Sequence, residues 1–202
     1  LVTYTCWGLG KDCEGWKCRN DWIQFGINRL QPIIEKDIDT WFHFYGDELD
    51  GIFFDEVSID PAHLQLYSEL INKVRSLNQD SKIVNNYGMT PPDSYLSLPD
   101  TIHCILEQRF SPRPRSSWAG YKNWHPKSIQ KIHETCLLLH ATNQENFKNA
   151  ILKAQKDKFN WIYITDASGD NPWGTIPSYF DELTDFLLKN QKSSWLKNIL
   201  PF

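Results

Sequence analysis

Gly51-Ile52-Phe53-Phe54-Asp55-Glu56 is a short apolar run that closes on two carboxylates. Ionisable groups at the end of such a run are costly unless they have a partner or a task. Ile102-His103-Cys104-Ile105-Leu106-Glu107 ends in the same manner, and so does Trp161-Ile162-Tyr163-Ile164-Thr165-Asp166. Runs that are apolar throughout, rather than alternating, read as strands buried on both faces, the habit of parallel sheets. Carboxylates repeated at the carboxyl ends of several strands form the pattern of a catalytic barrel face.

Working outward, strands are expected at residues 2–7, 51–55, 82–85, 101–107, 136–140 and 161–165. Helical spacing fills the intervals. Residues 32–44 carry Ile33, Ile34, Ile38, Trp41 and Phe42, and a further helical patch is possible near residues 16–30. Pro61 opens a helix with Leu64, Tyr67, Leu70, Ile71 and Val74 on one stripe, and Asp60 stands at its N-cap position. Residues 146–156 carry Phe147, Ile151, Leu152 and Ala154. Ser178 is expected to cap a last helix containing Tyr179, Leu183, Phe186 and Leu187. This β-α alternation predicts an α/β fold with parallel strands.

Six strands fall short of the eight of a closed barrel. The chain opens on strand-like Leu1-Val2-Thr3-Tyr4 without Met. The expectation is therefore a (β/α)8, TIM-barrel-like fold lacking its first two βα units. It forms one domain over residues 1–202, with a peripheral tail at 189–202. A doubly wound open sheet is the alternative, but Gly8-Leu9-Gly10 is too slight a phosphate-binding turn to support it.

The 202 residues suffice for one core. A net charge of -4 gives no general affinity for nucleic acid or anionic membrane, and 41% hydrophobic residues exclude a disordered chain. No stretch reaches the roughly 20 apolar residues of a membrane helix. Nine tryptophans serve a core or stack on sugar rings, whose C–H faces are apolar. Among five cysteines, Cys13 and Cys18 could close a small loop, while Cys104 and Cys136 read as buried apolar residues. The cysteines lack CxxC spacing and the six histidines lack an HExxH pattern, so neither a structural zinc nor a catalytic metal is expected. Gly-x-Ser-x-Gly is absent too, and no cofactor is implied. Nothing in the sequence speaks to oligomeric state.

The strand ends together offer Tyr4, Asp55, Glu56, Asn85, Asn86, Glu107, His140 and Asp166. Hydrolysis of a glycosidic bond uses two carboxyl groups, about 5–5.5 Å apart for retention and roughly 6.5–9.5 Å apart for inversion. Asp55 and Glu107 are the candidate pair, with Glu56 beside them. Strand alternation keeps Asp55 and Glu56 from facing one way unless the strand bends. Glu107 follows a Cys-Ile-Leu run, whose dryness favours a protonated acid. Asp55 suits the nucleophile or base, given hydrogen bonds from Asn85 or Tyr4. Tyr4, Asn85, His140 and Asp166 are expected to bind substrate, joined by Trp118 and Trp124 on the aromatic connection 108–126. Ordinary readings stand beside these: a turn at Asn85-Asn86, a satisfied buried histidine at His140, and a capping turn at 166–170.

At these residues the sequence resembles the spherulin-4 family of secreted, barrel-type proteins. The resemblance rests on Gly51-Ile52-Phe53-Phe54-Asp55-Glu56, and on Val84-Asn85-Asn86-Tyr87-Gly88, where the family commonly has Asn-Pro-Gly. It continues through Asp100-Thr101-Ile102 to Glu107, Tyr163-Ile164-Thr165-Asp166 and Asn171-Pro172-Trp173, and the opening Val2-Thr3-Tyr4-Thr5 is similar to the family's third strand. It implies a (β/α)8 barrel and endo-acting hydrolysis of α-1,4-linked galactosamine or N-acetylgalactosamine polymers. It also implies a secreted or cell-surface setting. The family's acidic pair maps onto Asp55 and Glu56, its later strand-end acid onto Glu107, and Trp173 joins the expected substrate-binding residues. Tyr87 in place of proline, and the Cys6–Cys18 insertion, are departures that bear on substrate identity. A non-catalytic carbohydrate-binding or cell-surface protein on the same barrel is the runner-up, and a metal-dependent hydrolase the third reading.

Overall fold

The computed structural model describes residues 2–4, 27–110, 134–169, 171–190 and 198–199. The chain divides into two compact units, Leu1–His103 and Cys104–Phe202.

In the first unit, β1 (Val2–Tyr4), β2 (Gly51–Asp55) and β3 (Lys82–Asn86) lie side by side in chain order, all parallel. The register sets Thr3 beside Phe54 and Phe54 beside Asn85. The connections are helical: α1 (Ile27–Tyr45), α2 (Leu64–Leu77) and the single turn α3 (Asp93–Leu96). The start of α2 forms as the sequence requires. Asp60 accepts the Ala62 N–H at 2.9 Å, Pro61 begins a 3-10 turn, and the α-helix follows from Leu64. Leu66, Tyr67, Leu70, Ile71 and Val74 form its buried face. α1 begins five residues before Pro32, so this proline lies inside the helix near its start rather than at it. Ile34 and Ile38 are its buried side chains among the described ones, and Lys73 of α2 pairs with Asp39 at 2.6 Å.

β4 (Thr101–Arg109) begins in the first unit and ends in the second, two residues beyond its expected end. There β5 (Thr135–His140), β6 (Trp161–Ile164) and β7 (Asn198–Ile199) follow in chain order, with β5, β6 and β7 parallel. α4 (Phe147–Lys156) and α5 (Phe180–Asn190) are packed through Phe147, which stacks on Tyr179 at 4.8 Å and meets Phe186 edge-on at 6.1 Å.

Within residues 189–202, expected to be a peripheral tail, Asn198 and Ile199 pair with Trp161 and Ile162 of β6. One expectation is corrected here. Ser178 does not cap α5. Its hydroxyl and its N–H both go to Asp166, and the Leu183 N–H closes the first turn on the Tyr179 carbonyl.

The parallel α/β order is thus the one read from the apolar runs, since β2, β5 and β6 are buried almost end to end. One backbone approach is decisive for β2. A Cβ on Gly51 would lie 1.9 Å from the Lys82 carbonyl oxygen, a position only glycine can occupy.

Candidate active site

The carboxyl end of β2 is a braced turn. Asp55 Oδ1 accepts the side-chain N–H of Asn86 at 2.8 Å and the backbone N–H of Glu56 at 3.0 Å. Glu56 itself adopts φ 51°, a left-handed conformation that costs a non-glycine residue about 1–3 kcal/mol. This is the bend that lets consecutive acids escape strict strand alternation. Glu56 is exposed and Asp55 half-buried. The segment beyond is fixed on both sides. Val57 N–H donates to the Asn86 carbonyl at 2.8 Å, Ser58 N–H to the Tyr67 hydroxyl at 2.9 Å, and Ser58 Oγ meets His63 Nδ1 at 2.8 Å.

Asn86, not Asn85, is the asparagine that serves Asp55. Its Oδ1 also accepts the Gly88 N–H at 3.0 Å, so one amide fixes the aspartate and the turn after β3. Asn85 lies on the other side of the strand. It is wholly buried and donates to the Tyr87 hydroxyl at 3.3 Å. That hydroxyl lies 3.1 Å from His103 Nδ1, and the Tyr87 ring meets Tyr95, which meets Tyr67 of α2. The Tyr87 hydroxyl thus stands between the Asn85 amide and His103 Nδ1. Burial holds the His103 pKa down at about 4. The expected substrate contact at Asn85 is therefore replaced by an internal chain, Asn85–Tyr87–His103. The apolar context of β4 concealed the His103 link.

In the second unit, three expected residues meet. Trp173 donates its indole N–H to Glu107 Oε1 at 3.1 Å. His140, at the end of β5, meets the Trp173 ring edge-on with centroids 5.7 Å apart, and Tyr163 of β6 lies against the same indole at 6.1 Å. Burial pulls the His140 pKa below its ordinary value. Glu107 opposes that shift and Arg109 adds to it. His140 Nδ1 is buried without a hydrogen-bond partner among the described residues, and Ala141 after it takes φ 52°, so a left-handed residue follows β5 as one follows β2.

Asp166 has a different occupation from the one expected. Burial raises its pKa, but the Ser178 hydroxyl and N–H more than offset this, and the net direction is downward. It latches the connection that carries Trp173. Of the remaining expectations, Tyr4 is described only as backbone in β1, while Trp118 and Trp124 lie outside the described residues. Cys104 and Cys136 are buried and form no disulfide among the described residues. Among the described residues, no group of three or more His, Cys, Asp or Glu side chains could hold a metal ion, and no helix is long and apolar enough to cross a membrane.

Residues 21–187 match the model of the spherulation-specific family 4, Spherulin4, and the chain belongs to that family. Spherulin-4 of Physarum polycephalum is 23% identical over 154 residues, which cover 74% of this chain and 46% of the relative. The chain thus spans about half the length of this curated relative. Among solved structures, the crystal structure of Aspergillus clavatus Sph3 in complex with GalNAc matches with a TM-score of 0.58 and 21% identity, over 82% of this chain and 68% of that one. That likeness is one of fold.

Proposed function

From this family membership, we propose that the chain is an endo-acting glycoside hydrolase. Its substrate is an amino-sugar polysaccharide of the α-1,4-linked galactosamine or N-acetylgalactosamine kind. The fold proposed with it is a single (β/α)8-type barrel domain, and the setting is extracellular or at the cell surface.

The observation that carries the reading is the state of the strand-end carboxylates. Asp55 takes two N–H donors on one oxygen, which suits an anion. Glu107 takes an indole N–H, from a ring that also offers an apolar face to a sugar. The solved complex of Sph3 with GalNAc supports an amino sugar as the bound unit.

In the proposed reaction, Glu107 gives its proton to the glycosidic oxygen as the bond from that oxygen to the anomeric carbon breaks. Asp55 either attacks the anomeric carbon, forming a glycosyl-enzyme that water then cleaves, or takes a proton from the attacking water. Asn86 aims Asp55. Glu56 is the second acid of the pair and supplies its backbone N–H to Asp55. His140, Trp118, Trp124 and Tyr4 complete the proposed sugar contacts.

The second reading is a non-catalytic carbohydrate-binding or cell-surface protein on the same barrel. The two separate in one experiment. Reducing ends are measured after incubation with galactosamine polymers of graded N-acetylation, and retardation is measured in gels containing the same polymers. Release of new reducing ends is expected for the hydrolase. Retardation without release would establish the binding protein, and neither effect would refute both.

A further inference from the structure

Trp173 stands at the centre of the second-unit cluster and is held there from both ends. Its backbone N–H donates to Asn171 Oδ1 at 3.2 Å. Downstream, the Tyr163 hydroxyl donates to the Thr175 carbonyl at 3.3 Å, and Ser178 is latched to Asp166. The ring meets both His140 and Tyr163, and its Nε1–H ends on Glu107 Oε1. The indole is thus fixed by contacts that involve no ligand.

An indole N–H is a donor only, and it is neutral. The terminal torsion of a glutamate is otherwise broad, so a donor on one oxygen sets the direction of the whole carboxyl group. A lysine or arginine in that place would also orient the group, but would hold it ionised. A neutral donor orients a carboxyl that must both give and regain a proton. We propose that Trp173 is a positioning residue for Glu107, its N–H setting the direction in which the carboxyl group delivers its proton. This goes beyond stacking against a sugar, and it rests on the glycosidase reading above.

Trp173→Phe keeps a ring and deletes the N–H, while Trp173→Ala deletes both. On polymer, the Phe variant is expected to lose roughly 10-fold or more in kcat with little change in KM. On an aryl glycoside with an activated leaving group, which needs little protonation, it should approach the wild type. Trp173→Ala should also raise KM.

The contact has a readout of its own. In 15N-indole-labelled protein, the Trp173 resonance is assigned by its disappearance in Trp173→Phe. It is expected to shift in Glu107→Gln, which alters the group that accepts its N–H. An unchanged kcat in Trp173→Phe would overturn the proposal, as would an indole resonance indifferent to Glu107→Gln. A wild-type protein that cleaves nothing, yet shows the coupled resonance, would overturn the glycosidase reading and the catalytic part of the proposal, while leaving the contact established.

Discussion

Tyr87 joins two buried polar groups, the Asn85 amide and His103 Nδ1. Removing its hydroxyl while keeping the ring leaves the Asn85 amide and His103 Nδ1 short of the contact each makes with it. A buried polar group deprived of its partner costs about 1–3 kcal/mol, so Tyr87→Phe is expected to destabilise the protein by that order in urea unfolding. A variant with wild-type stability would show that the chain contributes nothing. His103 gives the same network a pH dependence. Its folded pKa, about 4, is depressed by burial below the ordinary histidine value. The unfolded chain therefore binds a proton first as the pH falls. The stability contribution is complete above the ordinary value and is lost progressively as the pH drops from there through about 4. The ratio of folded to unfolded protein should follow that window in the wild type, and the corresponding slope should be missing in His103→Phe. An identical slope in both proteins would assign the pH dependence to other groups.

Among the elements, β2 and β3 are the pair on which the Asp55 brace depends, and Gly51 sets their approach. Gly51→Ala forces a Cβ into the Lys82 backbone, which cannot move as a flexible side chain would. A loss of about 1–3 kcal/mol is expected from such overpacking, measured by thermal melting, and a neutral outcome would mean that the strands have room to shift. Elements of this kind were legible because their signal is local. Ile52 to Phe54, Leu137 to Leu139 and Trp161 to Ile164 are apolar without interruption, and Asp60-Pro61 announces a helix start. β7 was not legible, because two residues paired to β6 make no pattern of their own. Ser178 was misread for a related reason: a serine before a helix looks like a cap until a carboxylate from another connection claims it. The two asparagines of β3 illustrate the limit for the candidate site. Both are acceptable hydrogen-bond donors, and only the strand register decides that Asn86 reaches Asp55 while Asn85 turns toward Tyr87.

At the scale of the whole molecule, the claim is that Asp55 and Glu107 divide one reaction between them. The sequence singled out both carboxylates, and with them His140 and Trp173. It could not show that an indole holds one acid and an amide the other, since those contacts join residues 66 and 31 positions apart. The claim is tested most directly by assaying Asp55→Asn and Glu107→Gln side by side on a galactosamine polymer and on an aryl glycoside with a good leaving group. Both variants should fold and should lose most polymer cleavage. A general acid contributes roughly 10²–10⁴-fold, so Glu107→Gln should recover much of its rate on the aryl glycoside, where little protonation is needed, and Asp55→Asn should not. Rescue of Asp55→Asn alone would reverse the roles, and near-normal polymer cleavage by both variants would contradict a catalytic function for either carboxylate.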